Sequence, residues 1–265
     1  MKDLCTASEI CVAELVHPHV TGADLNYQGS ITIDQDILTE SDLLPGQMVY
    51  IDNIARPAPP WRTYIVPGEA GKGGIIMNGP PAHHFQKGDP VTIRGGALIS
   101  SEDEPIMAGG HTKVFFSQDA GAPNRVESTE HIPVPPNHWR QMCVSKLHRL
   151  VITGTSPDGP EALVIDEHIL DVVNFPVGLE VQFTSIRDGA LRRTCIQAGS
   201  RGTGTAEIHG SAAQYVVPGI RIITLAEKWC PYGKAIKIGG PQVAFFDESL
   251  SERNVIRDVK TGMKP

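Results

Sequence analysis

Short apolar runs set the pattern of this chain. Residues 31–33, 48–51, 63–66 and 91–93 are strand-like, and turn-forming residues separate them. The segment Ser30-Ile31-Thr32-Ile33-Asp34 alternates behind Gly29, which reads as a tight Gly-Ser turn feeding a strand. Helical patterning is confined to two short stretches, 35–40 and 167–172. Glycine (27) and proline (21) are dense for 265 residues, and this punctuation favours short strands and turns over long helices. The pattern predicts a mainly β fold. Closing a sheet removes its exposed edges, so the residues by themselves support a small barrel or sandwich.

The pattern occurs twice. Asp34 and Asp166 are 132 apart, Thr63 and Thr194 are 131 apart, Gly79 and Gly210 are 131 apart, and Phe115-Phe116 recurs as Phe245-Phe246 at 130. A drift of two residues over the unit marks a near-complete tandem duplication. The chain length fits two small domains. The expected organisation is a first domain over residues 1–120, a linker over 121–137 rich in proline and charge, and a second domain over 138–265.

Several short motifs follow one another in the first copy: Tyr27-Gln28-Gly29-Ser30, then Thr63-Tyr64, then Pro67-Gly68-Glu69 with Gly71, Gly73 and Gly74. Asn78-Gly79-Pro80-Pro81-Ala82 and Gly88-Asp89-Pro90-Val91 complete the series. Singly they are weak, since Gly-Ser reads as a hairpin turn and Thr-Tyr as an ordinary strand pair. In this order, over residues 11–117, they closely resemble the pyruvoyl-dependent aspartate 1-decarboxylases. Ser145-Lys146-Leu147-His148-Arg149 opens the second copy and is also similar to that family, more so than Ala13-Glu14-Leu15-Val16-His17 of the first.

The resemblance implies a double-psi β-barrel in each copy, hence two tandem barrels with a few short helices. It implies that the chain cuts itself between Gly29 and Ser30, and that Ser30 becomes a pyruvoyl group, the built-in cofactor, with no metal. Thr63 would supply a hydrogen bond to the oxyanion of that cleavage. The substrate amine would then form a Schiff base with the pyruvoyl ketone, an electron sink for the loss of CO2. Tyr64 is the expected proton donor, with Asn78 and Tyr27 orienting the substrate. The implied reaction is α-decarboxylation of L-aspartate to β-alanine, or of a related small amino acid. The family holds its acidic substrate with a lysine and an arginine. Lys146 matches the lysine, whereas Pro60 and Leu191 stand at the arginine position, with Arg62, Arg192 and Arg193 close by. Single-repeat chains of the family form tetramers, so two fused repeats imply a homodimer.

The copies differ where the chemistry lies. Ser30 faces Ala162 in the alignment, Tyr64 faces Cys195, Asn78 faces His209, and Glu14 faces Lys146. Alanine has no hydroxyl, so no cleavage is expected at Glu161–Ala162. Each copy holds what the other lost, and the expected live site combines Ser30, Thr63, Tyr64 and Asn78 with Lys146.

A net charge of −7 argues against nucleic acid or anionic lipid as a partner. No apolar run reaches membrane-spanning length and the first residues lack a signal-peptide core, so no membrane association is expected. Five scattered cysteines then read as reduced thiols in the cytoplasm. His17-Pro18-His19 and His83-His84 lack a third ligand at metal spacing. The glycine loops 68–74 and 199–204 lack the lysine-serine ending of a phosphate cradle. The competing reading is a non-catalytic barrel acting as a binding or regulatory partner. The joint presence of Tyr27, Gly29-Ser30, Thr63, Tyr64 and Asn78 weighs against it.

Overall fold

The computed structural model describes residues 6–26, 30–57, 59–117, 122–249 and 252–261. The chain is mainly β and divides into two compact units. Unit 1 is Met1–Met142 with Lys228–Gly240, and unit 2 is Cys143–Glu227 with Pro241–Gly262.

The strands of unit 1 are β1 (Ala7–His19), β2 (Gly22–Asp24), β3 (Ser30–Asp34), β4 (Met48–Asn53), β5 (Trp61–Gly68), β6 (Ile75–Asn78), β7 (Pro90–Ser100), β8 (Thr112–Phe116) and β9 (Val126–Glu130). Helix α1 (Gln35–Ser41) follows β3. β9 falls in the segment expected to link the domains, and it pairs with β8. β3 lies between β5 and β6. It runs parallel to β5 with Ile31 opposite Ile65, and antiparallel to β6 with Ser30 opposite Asn78. β5 is buried from Trp61 to Val66, which accounts for its unbroken run of large residues. The core of the unit gathers Leu15, Ile31, Ile33, Ile51, Ile65, Ile75, Met77, Ile93 and Val114.

Unit 2 repeats this plan. β10 (Trp139–Val151) leads into it, followed by β11 (Gly154–Ser156), β12 (Ala162–Asp166), α2 (Glu167–Val173), β13 (Glu180–Ser185), β14 (Leu191–Gly199), β15 (Ala206–His209), β16 (Arg221–Pro231), β17 (Gln242–Phe246) and β18 (Ile256–Thr261), while the end of β16 and the short α3 (Tyr232–Ala235) between β16 and β17 belong to unit 1. β12 is parallel to β14 and antiparallel to β15, as β3 is to β5 and β6. The hairpins β8–β9 and β17–β18 carry the same irregularity, between Phe115 and Phe116 and between Phe245 and Phe246. Left-handed residues also recur in pairs: His17 with Arg149, and Asp42 with Asn174. The latter two end α1 and α2, where aspartate and asparagine tolerate positive φ.

One clasp ties each glycine loop to the strands of its unit. Asp34 caps α1 by accepting from Asp36 N at 2.8 Å, and its other oxygen accepts from Gly73 N at 2.6 Å. Asn124 donates to the carbonyls of Gly73 and His19, both at 2.9 Å, and accepts from His19 N at 2.8 Å. In unit 2, Asp166 accepts from His168 N (2.8 Å), Gly202 N (2.9 Å) and Gly204 N (2.7 Å). Asn254 donates to the carbonyls of Gly204 and Val151 and accepts from Val151 N. A further fixed point in unit 1 is Arg140, which is fully buried. It donates to Asp42 Oδ2 at 2.7 Å and to Gln47 Oε1 at 3.3 Å, and its guanidinium lies 5.5 Å from the Tyr232 ring centre.

The clasp leaves no room at its glycine. A Cβ on Gly73 would stand 2.3 Å from the Asn124 carbonyl oxygen, at φ +61°, whereas a Cβ on Gly74 meets nothing within 4 Å. Gly73→Ala is expected to cost about 2–4 kcal/mol of stability, combining overlap and backbone strain. Gly74→Ala should change it by less than about 1 kcal/mol. Urea unfolding of the two variants checks this, and equal midpoints would contradict it.

Candidate active site

The strand order brings several expected site residues to one end of unit 1. Ser30 is the first residue of β3 and Asn78 the last of β6, directly opposite each other. Asn78 Nδ2 donates to Ser30 Oγ at 3.2 Å and to Thr32 Oγ1 at 2.8 Å. Because Ile31 faces Ile65, the preceding Tyr64 of β5 flanks Ser30 on the other side, next to Thr63. Ser30 and Tyr64 are fully buried, and Thr63 and Asn78 nearly so. β2 closes the group, with Asp24 beside Asn78 and the Asp24 carbonyl accepting from Gly79 N at 2.6 Å. Asp24 also accepts from Asn26 N at 2.8 Å, a turn entering the 27–29 segment. Tyr27 and Gly29 lie outside the described residues.

Ser30 fits the role of a reacting hydroxyl. Its oxygen is pinned by an amide donor, it has a threonine and a phenol on the adjoining strand, and it is sealed from solvent. Thr32 shares the Asn78 amide with Ser30, a neighbour that sequence reasoning missed. Its signal is the two-residue period of β3, which puts Ser30 and Thr32 on one face.

The expected cations are placed differently. Arg62 adjoins Thr63 on β5, is buried, and lies 5.2 Å from the Tyr50 ring centre. Arg192 pairs with Asp188 at 2.9 Å and covers the Tyr215 ring, and Arg193 pairs with Glu180. Both belong to unit 2, as does Lys146.

Lys146 on β10 is fully buried, and burial pushes its ammonium down to about 7. Two residues on, His148 shares its face. Burial first, and the Lys146 charge second, hold that imidazole far below its ordinary value. His148 also packs edge-on against Phe245 at 5.3 Å. It too was missed; the alternation of Lys146 and His148 is the signal that could have found it.

Glu14, at the first copy's lysine position, sits in a compensated network. It accepts from or pairs with His111 Nε2 at 2.8 Å, and β-sheet register puts Arg94 and Lys113 opposite it on the two neighbouring strands.

The same location in unit 2 lacks the serine hydroxyl, the phenol and the amide found in unit 1. Ala162 faces His209, and the register of Leu163 with Ile196 puts Cys195 beside Ala162. His209 pairs with Glu207 at 3.0 Å. The hydroxyl of Thr194, the counterpart of Thr63, is buried with no hydrogen-bond partner among the described residues. No group of three or more His, Cys, Asp or Glu side chains among the described residues could hold a metal, and no helix among them is long and apolar enough to cross a membrane.

Comparison with known proteins agrees with this duplicated architecture. The aspartate decarboxylase family model matches twice, over residues 7–120 and 138–252. An aspartate 1-decarboxylase of Listeria innocua is 49% identical over 84 residues, which is 32% of this chain and 65% of that protein. One from Bacteroides thetaiotaomicron is 42% identical over 96 residues, 36% of this chain and 80% of its own length. One from Dehalococcoides mccartyi is 39% identical over 87 residues, covering 33% and 69%. With both repeats matched by one family model, the chain belongs to the aspartate decarboxylase family and carries its domain twice.

Proposed function

We propose that the protein is a pyruvoyl-dependent amino-acid α-decarboxylase that acts on L-aspartate or a related amino acid after cutting itself at Gly29–Ser30. The observation that carries this reading is the buried Ser30 hydroxyl held by Asn78 at the junction of β3, β5 and β6. In this reading Ser30 Oγ attacks the Gly29 carbonyl carbon. The peptide C–N bond breaks as the ester C–O bond forms, with the proton passing to nitrogen. Loss of the Ser30 Cα proton then expels the Gly29 carboxylate from Cβ, leaving a dehydroalanine. Water hydrolyses this to a ketone with release of ammonia. The ketone supplies an electron sink for decarboxylation. Asn78 orients the oxygen of residue 30, Thr63 donates to the oxyanion of the cleavage step, and Tyr64 holds a proton for delivery to the product carbon. Tyr27 completes the substrate pocket, and Lys146, with Arg62, Arg192 and Arg193 as further candidates, meets substrate carboxylate.

Purified protein should therefore give a 29-residue piece and a 236-residue piece. Ser30→Ala should stay whole. Asn78→Ala should slow cleavage about tenfold or more through loss of the donor, and Thr63→Val by about 10²–10³. Intact-mass spectra over time read all three. Persistently uncut wild type would instead favour a non-catalytic binding protein.

Two fused repeats also support a homodimer with closed two-fold symmetry, holding two live sites, since only Ser30 can mature. Light scattering of the cleaved protein should give twice the chain mass. A monomer or a tetramer of full chains would contradict this.

Lys146 imposes a pH dependence. Its folded value of about 7 lies below the ordinary lysine value of 10.5. Between these, the unfolded chain holds one more proton than the folded one, so stability rises with pH across that window and the full burial penalty is present below it. Lys146→Leu should be more stable at pH 7 and should flatten the rise by up to about 1.4 kcal/mol per pH unit. Parallel urea curves at pH 7 and 9 test this; an unchanged slope would contradict it.

A further inference from the structure

We infer that Pro80 and Pro81 are specificity-determining residues, which remove from unit 1 a carboxylate cradle that the same turn forms in unit 2. The inference rests on the decarboxylase reading and refines its substrate class.

The cradle is visible in unit 2. The turn after β15 starts at Gly210, with φ +75°, and the carboxylate of Glu161 fills it. Oε2 accepts from Ser211 N at 2.8 Å and from Ser211 Oγ at 2.9 Å, while Oε1 accepts from Ala212 N at 3.3 Å. The main-chain bond from Ser211 leads in holding this carboxyl below its ordinary value. A Cβ on Gly210 would lie 2.5 Å from Glu161 Oε2, so glycine is what admits the carboxylate. Glu161 immediately precedes Ala162, and Ala162 faces His209 just as Ser30 faces Asn78. The cradle therefore lies within reach of the glutamate side chain next to Ala162, the counterpart of Ser30.

Unit 1 keeps the turn and loses the donors. Gly79 retains the positive φ, +72°. At the repeat offset, Pro80 and Pro81 replace Ser211 and Ala212, and proline has no N–H. The flanking N–H groups are already used: Gly79 N donates to the Asp24 carbonyl at 2.6 Å and Ala82 N to the Gly79 carbonyl at 2.9 Å. Two buried pyrrolidine rings stand where unit 2 offers three donors.

The chemistry decides which substrate group this affects. The α-carboxylate must surrender its charge as CO2 leaves. Donors gripping it would stabilise the ground state more than the transition state and would slow the step. A cradle here serves the carboxylate that stays, on the substrate's side chain. Without it, the unit 1 site loses a basis for preferring an acidic side chain, and amino acids with uncharged side chains compete with aspartate.

The test transplants the unit 2 turn. Cleaved wild type is compared with the double variant Pro80→Ser/Pro81→Ala, and with Pro80→Ala as a milder change that adds one N–H. The kcat/KM ratio of L-aspartate over L-alanine should rise about tenfold or more in the double variant, mostly through KM, as expected for hydrogen bonds to a charged group. Succinate titrated calorimetrically into uncut Ser30→Ala protein, with and without the proline changes, should bind about tenfold more tightly when the donors are restored. An unchanged ratio, an equal gain for both amino acids or a fall in kcat alone would overturn the inference, as would unchanged succinate affinity. If wild type neither cleaves nor releases CO2, the decarboxylase reading fails separately, and the succinate comparison still decides whether this turn selects carboxylates.

Discussion

A buried carboxylate that grips its own glycine loop sets the frame in each half of the molecule. Asp34 and Asp166 each cap a helix with one oxygen and bind the glycine loop with the other. The loop is then fixed by Asn124 or Asn254, whose amide spans two segments of backbone. This arrangement holds the ends of β3 and β5, and of β12 and β14, in parallel register. Since β3 begins at Ser30, anything that lets the loop drift also shifts Ser30 against Asn78. A buried aspartate with several N–H partners tolerates little substitution, because any donor left behind would be unsatisfied. That explains why both copies keep it while their chemistry diverges.

The divergent positions obey a different constraint. They sit at strand ends or on sheet faces, where a side chain can change without moving the backbone. Ser30 and Ala162 both begin a strand with the same pairing. Glu14 and Lys146 occupy equivalent places on β1 and β10, yet one carboxylate lies amid His111, Arg94 and Lys113 while one ammonium is fully buried. The acidic replacement is accommodated by neighbouring basic groups, whereas the lysine is held at a burial cost. Glu14 is thereby explained as part of a local ion network.

The fold was largely legible because the repeat supplied it twice. Offsets of 130–132 pair the clasp aspartates and the phenylalanines of the hairpins, and the structure pairs the same residues. The two short helices appear at α1 and α2 because Asp34 and Asp166 cap them and Asp42 and Asn174 end them. The association of Ser30, Thr63, Tyr64 and Asn78 was legible only through family resemblance, since it depends on β3 sitting between two strands distant in sequence. Thr32 and His148 were overlooked although the strand period marks them. The donor set at Ser211 and Ala212 could not be read, because hydrogen bonds from backbone N–H carry no residue signature. The absence of donors at Pro80 and Pro81 acquires meaning only beside it.

Unit 2 cannot be understood as an inert duplicate. Parts of its lost site have been repaired with structure: Glu161 satisfies the turn donors and Glu207 satisfies His209. Other features remain costly. Thr194 Oγ1 and His148 Nδ1 are buried without hydrogen-bond partners among the described residues, a burden of about 1–3 kcal/mol each. Lys146, two residues before His148 on β10, is held at a depressed value by burial. An apolar residue at any of these places would relieve that cost, and the buried Ala162 carries none. Repair at some positions beside uncompensated burial at others distinguishes unit 2 from a copy that has simply exchanged its polar groups for apolar ones.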